Sequence, residues 1–262
     1  MRILFLGDIV GRPGRRMVAQ MLPRLIAADR VDFVVANCEN ASGGKGIDPQ
    51  SAEDLQDAGV DVLTSGNHVW QDPAIIPYMR ENERIVRPLN FPKGVPGRGW
   101  SVRPTRKGQR PIGVLNLIGR VFMNPADCPF QAAAEVIELM RAQTKVIVVD
   151  MHGEATSEKV GMGRFLDGRV SAVLGSHTHI QTADEAILPG GTAYLTDAGM
   201  CGPEESILGI RCDLVLRRFL TQMPVRFEVA TGPAILQGVL VDVDEATGHA
   251  TAIRRLQQRV EG

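Results

Sequence analysis

Val170-Ser171-Ala172-Val173-Leu174-Gly175-Ser176-His177-Thr178-His179 runs from an apolar stretch straight into two imidazoles separated by one threonine. A short apolar run bounded by polar residues reads as a buried strand. His177 and His179 then belong to the loop at its carboxyl end. The chain has five histidines, and four of them (His68, His152, His177 and His179) fall in short polar clusters that each follow a strand-like run. Imidazole is the commonest protein metal ligand, and surface histidines would not repeat that placement. The pattern predicts a metal site assembled at one edge of a sheet.

Working outward, four more clusters follow apolar runs. Asp8 follows Ile3–Leu6; Asn37, Glu39 and Asn40 follow Phe33–Ala36; Asn67 and His68 follow Val60–Leu63; His152 follows Val146–Val149. In open α/β sheets, ligands gather beyond the carboxyl ends of the strands, so five strands ending at one edge would unite these residues. Each has a plainer reading when taken singly. Asp8 could cap the helix that opens near Pro13, Glu39-Asn40 could be a surface pair, Asn67 suits a tight turn after Gly66, and His68 or His152 could be a satisfied polar residue. Together the clusters favour metal. Two carboxylates, several amide oxygens and three imidazoles exceed the needs of one tetrahedral ion. Divided between two ions with a shared carboxylate, they suit manganese, iron or similar metals. Paired ions about 3.5–4 Å apart clamp the attacking and leaving oxygens of a displacement at phosphorus and acidify the water between them.

The secondary-structure pattern begins as an α/β alternation. Arg2–Leu6, Val31–Ala36 and Val60–Thr64 read as strands, with helices from Pro13, from Pro49 through Ala58 (Asp48 as cap) and over 73–82. Pro23 predicts a kink or break in the first helix. Over 84–125 the character changes to short β-prone pieces, Trp100–Arg103 and Ile112–Ile118. A helix at 130–142, strand Lys145–Asp150, helix 156–166, strand Arg169–Leu174, strand Thr192–Thr196 and a helix over Asp213–Gln222 follow. The end is β-rich (Arg226–Ala230, Ile235–Val243, Ala250–Leu256). Early alternation predicts parallel strands and the late run antiparallel pairing. A mixed α/β architecture fits both, as one mixed sheet or two packed sheets with outer helices. No repeat or long linker divides the chain, so one domain over 1–262 is expected.

Composition sets bounds. A net charge of −1, from 29 Lys+Arg against 30 Asp+Glu, argues against nucleic-acid or membrane binding driven by overall charge. The basic segment Arg98–Arg110, with Arg103, Arg106 and Lys107, reads as a solvated hairpin edge or, more sharply, as a guide for an anionic substrate. Cys38, Cys128, Cys201 and Cys212 form no CxxC pair. No run approaches the roughly 20 apolar residues of a membrane span, and Ile3–Leu6 is too short for a signal-peptide core. A cytoplasmic location is expected. Ser42-Gly43-Gly44-Lys45-Gly46 lacks the phosphate-loop spacing, and Gly7-Asp8-Ile9-Val10-Gly11 fails the dinucleotide pattern. Lys45 could still reach a substrate phosphate, or it could be a solvated lysine.

Gly7-Asp8, Gly66-Asn67-His68, His152 and Ser176-His177-Thr178-His179 resemble the signature of the calcineurin-like metallophosphoesterases. Two departures stand out. Val10 takes the place of a usual histidine, and Glu39, followed by Asn40, replaces the usual bridging aspartate. Both match the bacterial YmdB-type phosphoesterases. Similarity to that family extends to Asn37-Cys38-Glu39-Asn40-Ala41, Gly43–Gly46, Gly66–Trp70, Glu154–Lys159 and Thr196–Pro203. The resemblance implies a four-layer sandwich of two packed mixed β-sheets flanked by helices. It implies one metal held by Asp8, Glu39, Asn40 and His179, with Asn40 supplying the ligand lost at Val10. A second metal would be held by Glu39, Asn67, His152 and His177, with Glu39 bridging. The ions would be divalent or mixed-valence transition metals, iron or manganese. His68 would protonate the leaving oxygen or stabilise charge beside it. The implied activity is phosphodiester hydrolysis, 2′,3′-cyclic nucleotides included, with RNA ends as further substrates and homo-oligomers as the assembly. Two other readings stay open: a phosphomonoesterase or nuclease of the same superfamily, and a metal-bound regulatory binding protein.

Overall fold

The protein is described from a computed structural model covering residues 1–106, 108 and 110–260. In chain order the elements are β1 (Arg2–Leu6), β2 (Asp8–Ile9), α1 (Gly11–Asp29), β3 (Phe33–Asn37), α2 (Pro49–Asp57), β4 (Val62–Thr64), α3 (Ile75–Glu81), β5 (Trp100–Arg103), β6 (Ile112–Ile118), α4 (Pro129–Arg141), β7 (Val146–His152), α5 (Thr156–Phe165), β8 (Ala172–Ser176), β9 (Ala186–Ile187), β10 (Ala193–Leu195), β11 (Met200–Pro203), α6 (Cys212–Thr221), β12 (Ala234–Val243) and β13 (Ala250–Val260).

They form two sheets. One has the order β2-β11-β12-β1-β3-β4, with β13 along the other edge of β12. The other has the order β5-β6-β7-β8-β10-β9. Both are mixed: β1, β3 and β4 run parallel while β12 is antiparallel to β1, and β6, β7, β8 and β10 run parallel between antiparallel edges. The strand period of two assigns the faces. Leu4, Leu6, Val34 and Ala36 pack under α1 and α2, whereas Ile3, Phe5, Phe33 and Val35 meet Val114, Val148 and Leu174 of the second sheet. Leu115, Leu117, Ile147 and Val149 pack against Ile137 and Met140 of α4 and Met162 of α5. The layers are therefore helix, sheet, sheet, helix. Burial on both faces explains why the central strands read as continuous apolar runs rather than alternating ones.

Three local readings are refined. α1 runs through Pro23 without a break; Pro23 and Ala19 four residues earlier are both exposed, so water can satisfy the carbonyl that loses its partner. Asp8 caps no helix: it lies in β2, and the N-cap of α1 is Val10 with no side-chain bond. Arg226–Ala230 forms no strand; it is held to the preceding loop through Ala230 N to Gly209 O and Arg211 N to Glu228 O. Asp48 does cap α2, accepting from Ser51 N at 2.8 Å.

The basic segment lies away from the histidines. Arg103 pairs with Ile112 at the start of β6, while His152 pairs with Ile118 at its end. Arg98 and Arg103 both pair with Glu83, Arg106 pairs with Asp61, and Arg110 donates to the Glu245 carbonyl. Lys107 falls outside the described residues. The cysteines are free. Among the described residues no helix is long and apolar enough to cross a membrane.

Candidate metal centre

The carboxyl ends of β1, β3, β4, β7 and β8 meet where the two sheets adjoin. At Gly7 the chain leaves β12 and turns against β11: Gly7 N donates to Gln237 O at 3.1 Å and Asp8 N to Gly199 O at 3.0 Å. A Cβ on Gly7 would lie 2.1 Å from the Gly199 carbonyl oxygen, so only glycine allows the approach that delivers Asp8. Gly66 plays a comparable part after β4. A Cβ there would lie 2.2 Å from His152 Nε2 and 2.3 Å from Glu39 Oε2.

The side chains fall into two adjoining groups. In the first, His152 Nε2 is 3.2 Å from Glu39 Oε1, 3.2 Å from Asn67 Oδ1 and 3.1 Å from His177 Nδ1. Glu39, His152 and His177 each offer a ligand atom, all within 4.8 Å of one another. In the second, His179 Nε2 is 3.3 Å from Asn40 Oδ1 and 3.8 Å from Asp8 Oδ1. Glu39 stands between the groups and also takes the His68 backbone N–H at 3.0 Å. The His68 ring turns Nδ1 towards Glu39 Oε1, at 3.4 Å, and towards Asn40. The eight residues expected as metal ligands or proton donor are thus brought together, while the fifth histidine, His249, lies in the β12–β13 turn.

Two features fit a cation. Asp8 Oδ1 is buried and accepts no hydrogen bond, an arrangement that is costly unless a positive charge compensates it. Lone pairs of carboxylate, amide and imidazole converge with few protons to share, as a set of metal ligands does.

The electrostatics agree. Burial pushes the Asp8 carboxyl up to about 6, against the opposing pull of His179 and His152. Burial would raise Glu39 too, yet the His152 and His68 imidazoles hold it well below the usual range. Burial disfavours charge on His152, but Glu39, Asp8 and Asp150 outweigh it and raise the imidazole to about 9. Burial, then the charge on His152, lowers His177 to about 3.

Beneath the ligand atoms lies a supporting layer in which Asn37 and Ser176 belong to the strand-end clusters, while Asp150, Thr64, Lys159 and Asp197 were not expected as site residues. His152 Nδ1 is 2.9 Å from Ser176 Oγ, which donates to Asp150 Oδ1 at 2.6 Å. Asp150 Oδ2 accepts from Thr64 Oγ1 and from Asn37 Nδ2. This chain fixes the ring and leaves Nε2 facing Glu39. Asp197 accepts from Thr178 N at 3.0 Å and forms a fully buried ion pair with Lys159 at 2.7 Å. It steadies a loop in which His177 and His179 both take positive φ, 101° and 65°, strain of the kind that functional sites retain. Glu154, half exposed, reaches His177 Nε2 at 3.1 Å. The available signals were a carboxylate inside an apolar strand (Asp150) and a lysine on the buried side of α5 (Lys159).

Residues 4–256 match the family model described as YmdB-like protein. The chain is 45% identical over 256 residues to a Bacillus subtilis protein named 2′,3′-cyclic-nucleotide 2′-phosphodiesterase, covering 98% of this chain and 96% of that one. A crystal structure of a hypothetical protein from Thermus thermophilus superposes with a TM-score of 0.92 at 41% identity, covering 99% of each chain. A calcineurin-like phosphoesterase from Bacillus subtilis, 11% identical, shares the fold with a TM-score of 0.58 over 98% of this chain and 90% of that chain. The chain belongs to the YmdB-like protein family, on the calcineurin-like phosphoesterase fold.

Proposed function

We propose that this protein is a phosphodiesterase that hydrolyses 2′,3′-cyclic nucleotides. It would use two transition-metal ions, iron or manganese, held by Asp8, Glu39, Asn40, Asn67, His152, His177 and His179. The observation that carries this reading is the buried convergence of Glu39, His152 and His177 beside an Asp8 oxygen with no hydrogen-bond partner. When bound, such ions polarise phosphoryl oxygens, neutralise charge developing at phosphorus and acidify water. The donor set of carboxylate, amide and imidazole suits them.

The chain's own residues supply the rest. Glu39 lies between both ligand groups and stays ionised beside the imidazoles. Hydrogen bonds from Ser176 and Asp150 orient His152. With His68 Nδ1 turned to Glu39, Nε2 is the nitrogen that hands a proton to the departing ribose oxygen, a step worth roughly 10²–10⁴-fold. A cyclic phosphate at an RNA 3′ end presents the same ester and is a second substrate.

The test is an assay of one purified sample on 2′,3′-cyclic AMP, bis-p-nitrophenyl phosphate and p-nitrophenyl phosphate, with and without a chelator. Turnover of the two diesters, lost on chelation, supports the reading. A strong preference for the simple monoester contradicts it.

A further inference from the structure

Beyond the ligand cluster, one segment combines three unusual features. Gly119–Met123 follows β6, whose last residue Ile118 pairs with His152. Gly119 N donates to the His152 carbonyl at 2.8 Å, so this loop begins against the backbone of a cluster histidine. It is anchored from the other side by Glu158 in the first turn of α5, which accepts Arg120 N at 2.9 Å and Val121 N at 3.0 Å. At its tip Phe122 takes φ 62° and is 88% exposed.

The backbone is that of a tight turn: Met123 N donates to Arg120 O at 3.3 Å, and Phe122 holds the third position, which takes positive φ in a type II turn and is rarely given to a bulky side chain. Glu158 fixes this turn through Arg120 N and Val121 N. The product is an aromatic ring held out in water, with no ring or cation stacked on it among the described residues. Aromatic side chains displayed on protein surfaces stack the faces of nucleobases.

We propose that Phe122 is the stacking platform for the nucleobase of a nucleotide whose phosphate occupies the Glu39–His152–His177 cluster. The inference rests on the cyclic-nucleotide reading and adds the subsite that binds the base. A base stands one ribose away from its phosphate, and Phe122 stands one short turn away from the residue bonded to His152. Stacking tolerates any base and strengthens with ring area, so the subsite favours purines.

The test is steady-state kinetics of the wild type, Phe122→Ala and Phe122→Trp. The substrates are 2′,3′-cyclic AMP, 2′,3′-cyclic UMP and the base-free 1-O-methylribose 2,3-cyclic phosphate. Phe122→Ala keeps a Cβ on the same backbone, and its melting temperature reports whether the loop has survived. Removing one stacked ring raises KM for the adenine ester roughly 5- to 150-fold. The rise is smaller for the uracil ester and absent for the base-free ester, so the purine preference disappears. Phe122→Trp restores KM. Equal loss on the base-free ester would overturn the proposal, because the loop and not the ring would then matter. Unchanged KM on every ester would also overturn it, as would a fall in sedimentation mass with kinetics intact, which would make Phe122 a contact between copies. Failure of the wild type to hydrolyse any cyclic ester would sink the phosphodiesterase reading itself, a result read before any variant is made.

Discussion

The backbone N–H of His177 donates to Asp8 Oδ2 at 2.9 Å across 169 positions of sequence. That bond joins the β2 end of the first sheet to the β8 end of the second. It leaves Asp8 Oδ1 without a hydrogen-bond partner beside His179 and His152. Asp8 is thus both a tie between the sheets and a buried charge suited to a cation.

The sign of that charge can be tested. Burial raises the Asp8 carboxyl from 3.8 to about 6. The folded state therefore binds this proton more tightly than the unfolded chain does. In metal-free protein, stability from this group falls as pH rises from about 3.8 through about 6 and then levels off. Asp8→Asn removes the titration and keeps an oxygen for His177 N. Thermal melts of metal-free protein between pH 4 and 7 should show the variant gaining on the wild type as pH rises. Calorimetric titration with Mn²⁺ should show weaker binding. A metal-free variant that loses ground to the wild type over that range would contradict the account.

Gly66→Ala should abolish metal binding without unfolding the chain. The new methyl group would meet the ends of the His152 and Glu39 side chains, which can swing aside only by abandoning their positions. Elemental analysis should find metal content sharply reduced, with circular dichroism unchanged. Full metal occupancy would show that these two side chains are not ligands in the arrangement described.

Ser176→Ala breaks the chain from His152 to Asp150. Removing a hydrogen-bond partner of a metal-bound imidazole weakens metal affinity by about 10–100-fold. The expected signature is a higher Mn²⁺ dissociation constant, with turnover recovered at saturating metal. Unchanged affinity would mean that Ser176 only fills space.

His68→Ala should lower kcat by roughly 10²–10⁴-fold while metal content stays at the wild-type level. Loss of metal together with activity would recast His68 as a ligand.

Much of this site was legible because each strand ends in its chemistry: His152 closes β7 and His177 follows β8 directly. The supporting layer was harder to read. Asp150 sits inside the strand that carries His152, and only the packing of β7 between β6 and β8 shows that Ser176, Thr64 and Asn37 all converge on it. Asp197 and Lys159 are brought together by tertiary structure alone. In the fold, the apolar runs revealed the central strands but not the two-residue β2 or the Gly-containing β11, which are too short to show a period. Arg226–Ala230 shows the opposite failure. It has strand-like alternation of exposure, but its pairing stops at a single antiparallel bridge between Val229 and Ile210, too short for a ladder.

The most direct test of the central claim is metal analysis of anaerobically purified protein, coupled to hydrolysis of 2′,3′-cyclic AMP before and after chelation. The account predicts two transition-metal ions per chain, loss of hydrolysis on their removal, and recovery on adding Mn²⁺ or Fe²⁺. Hydrolysis at full rate by protein stripped of metal would contradict it.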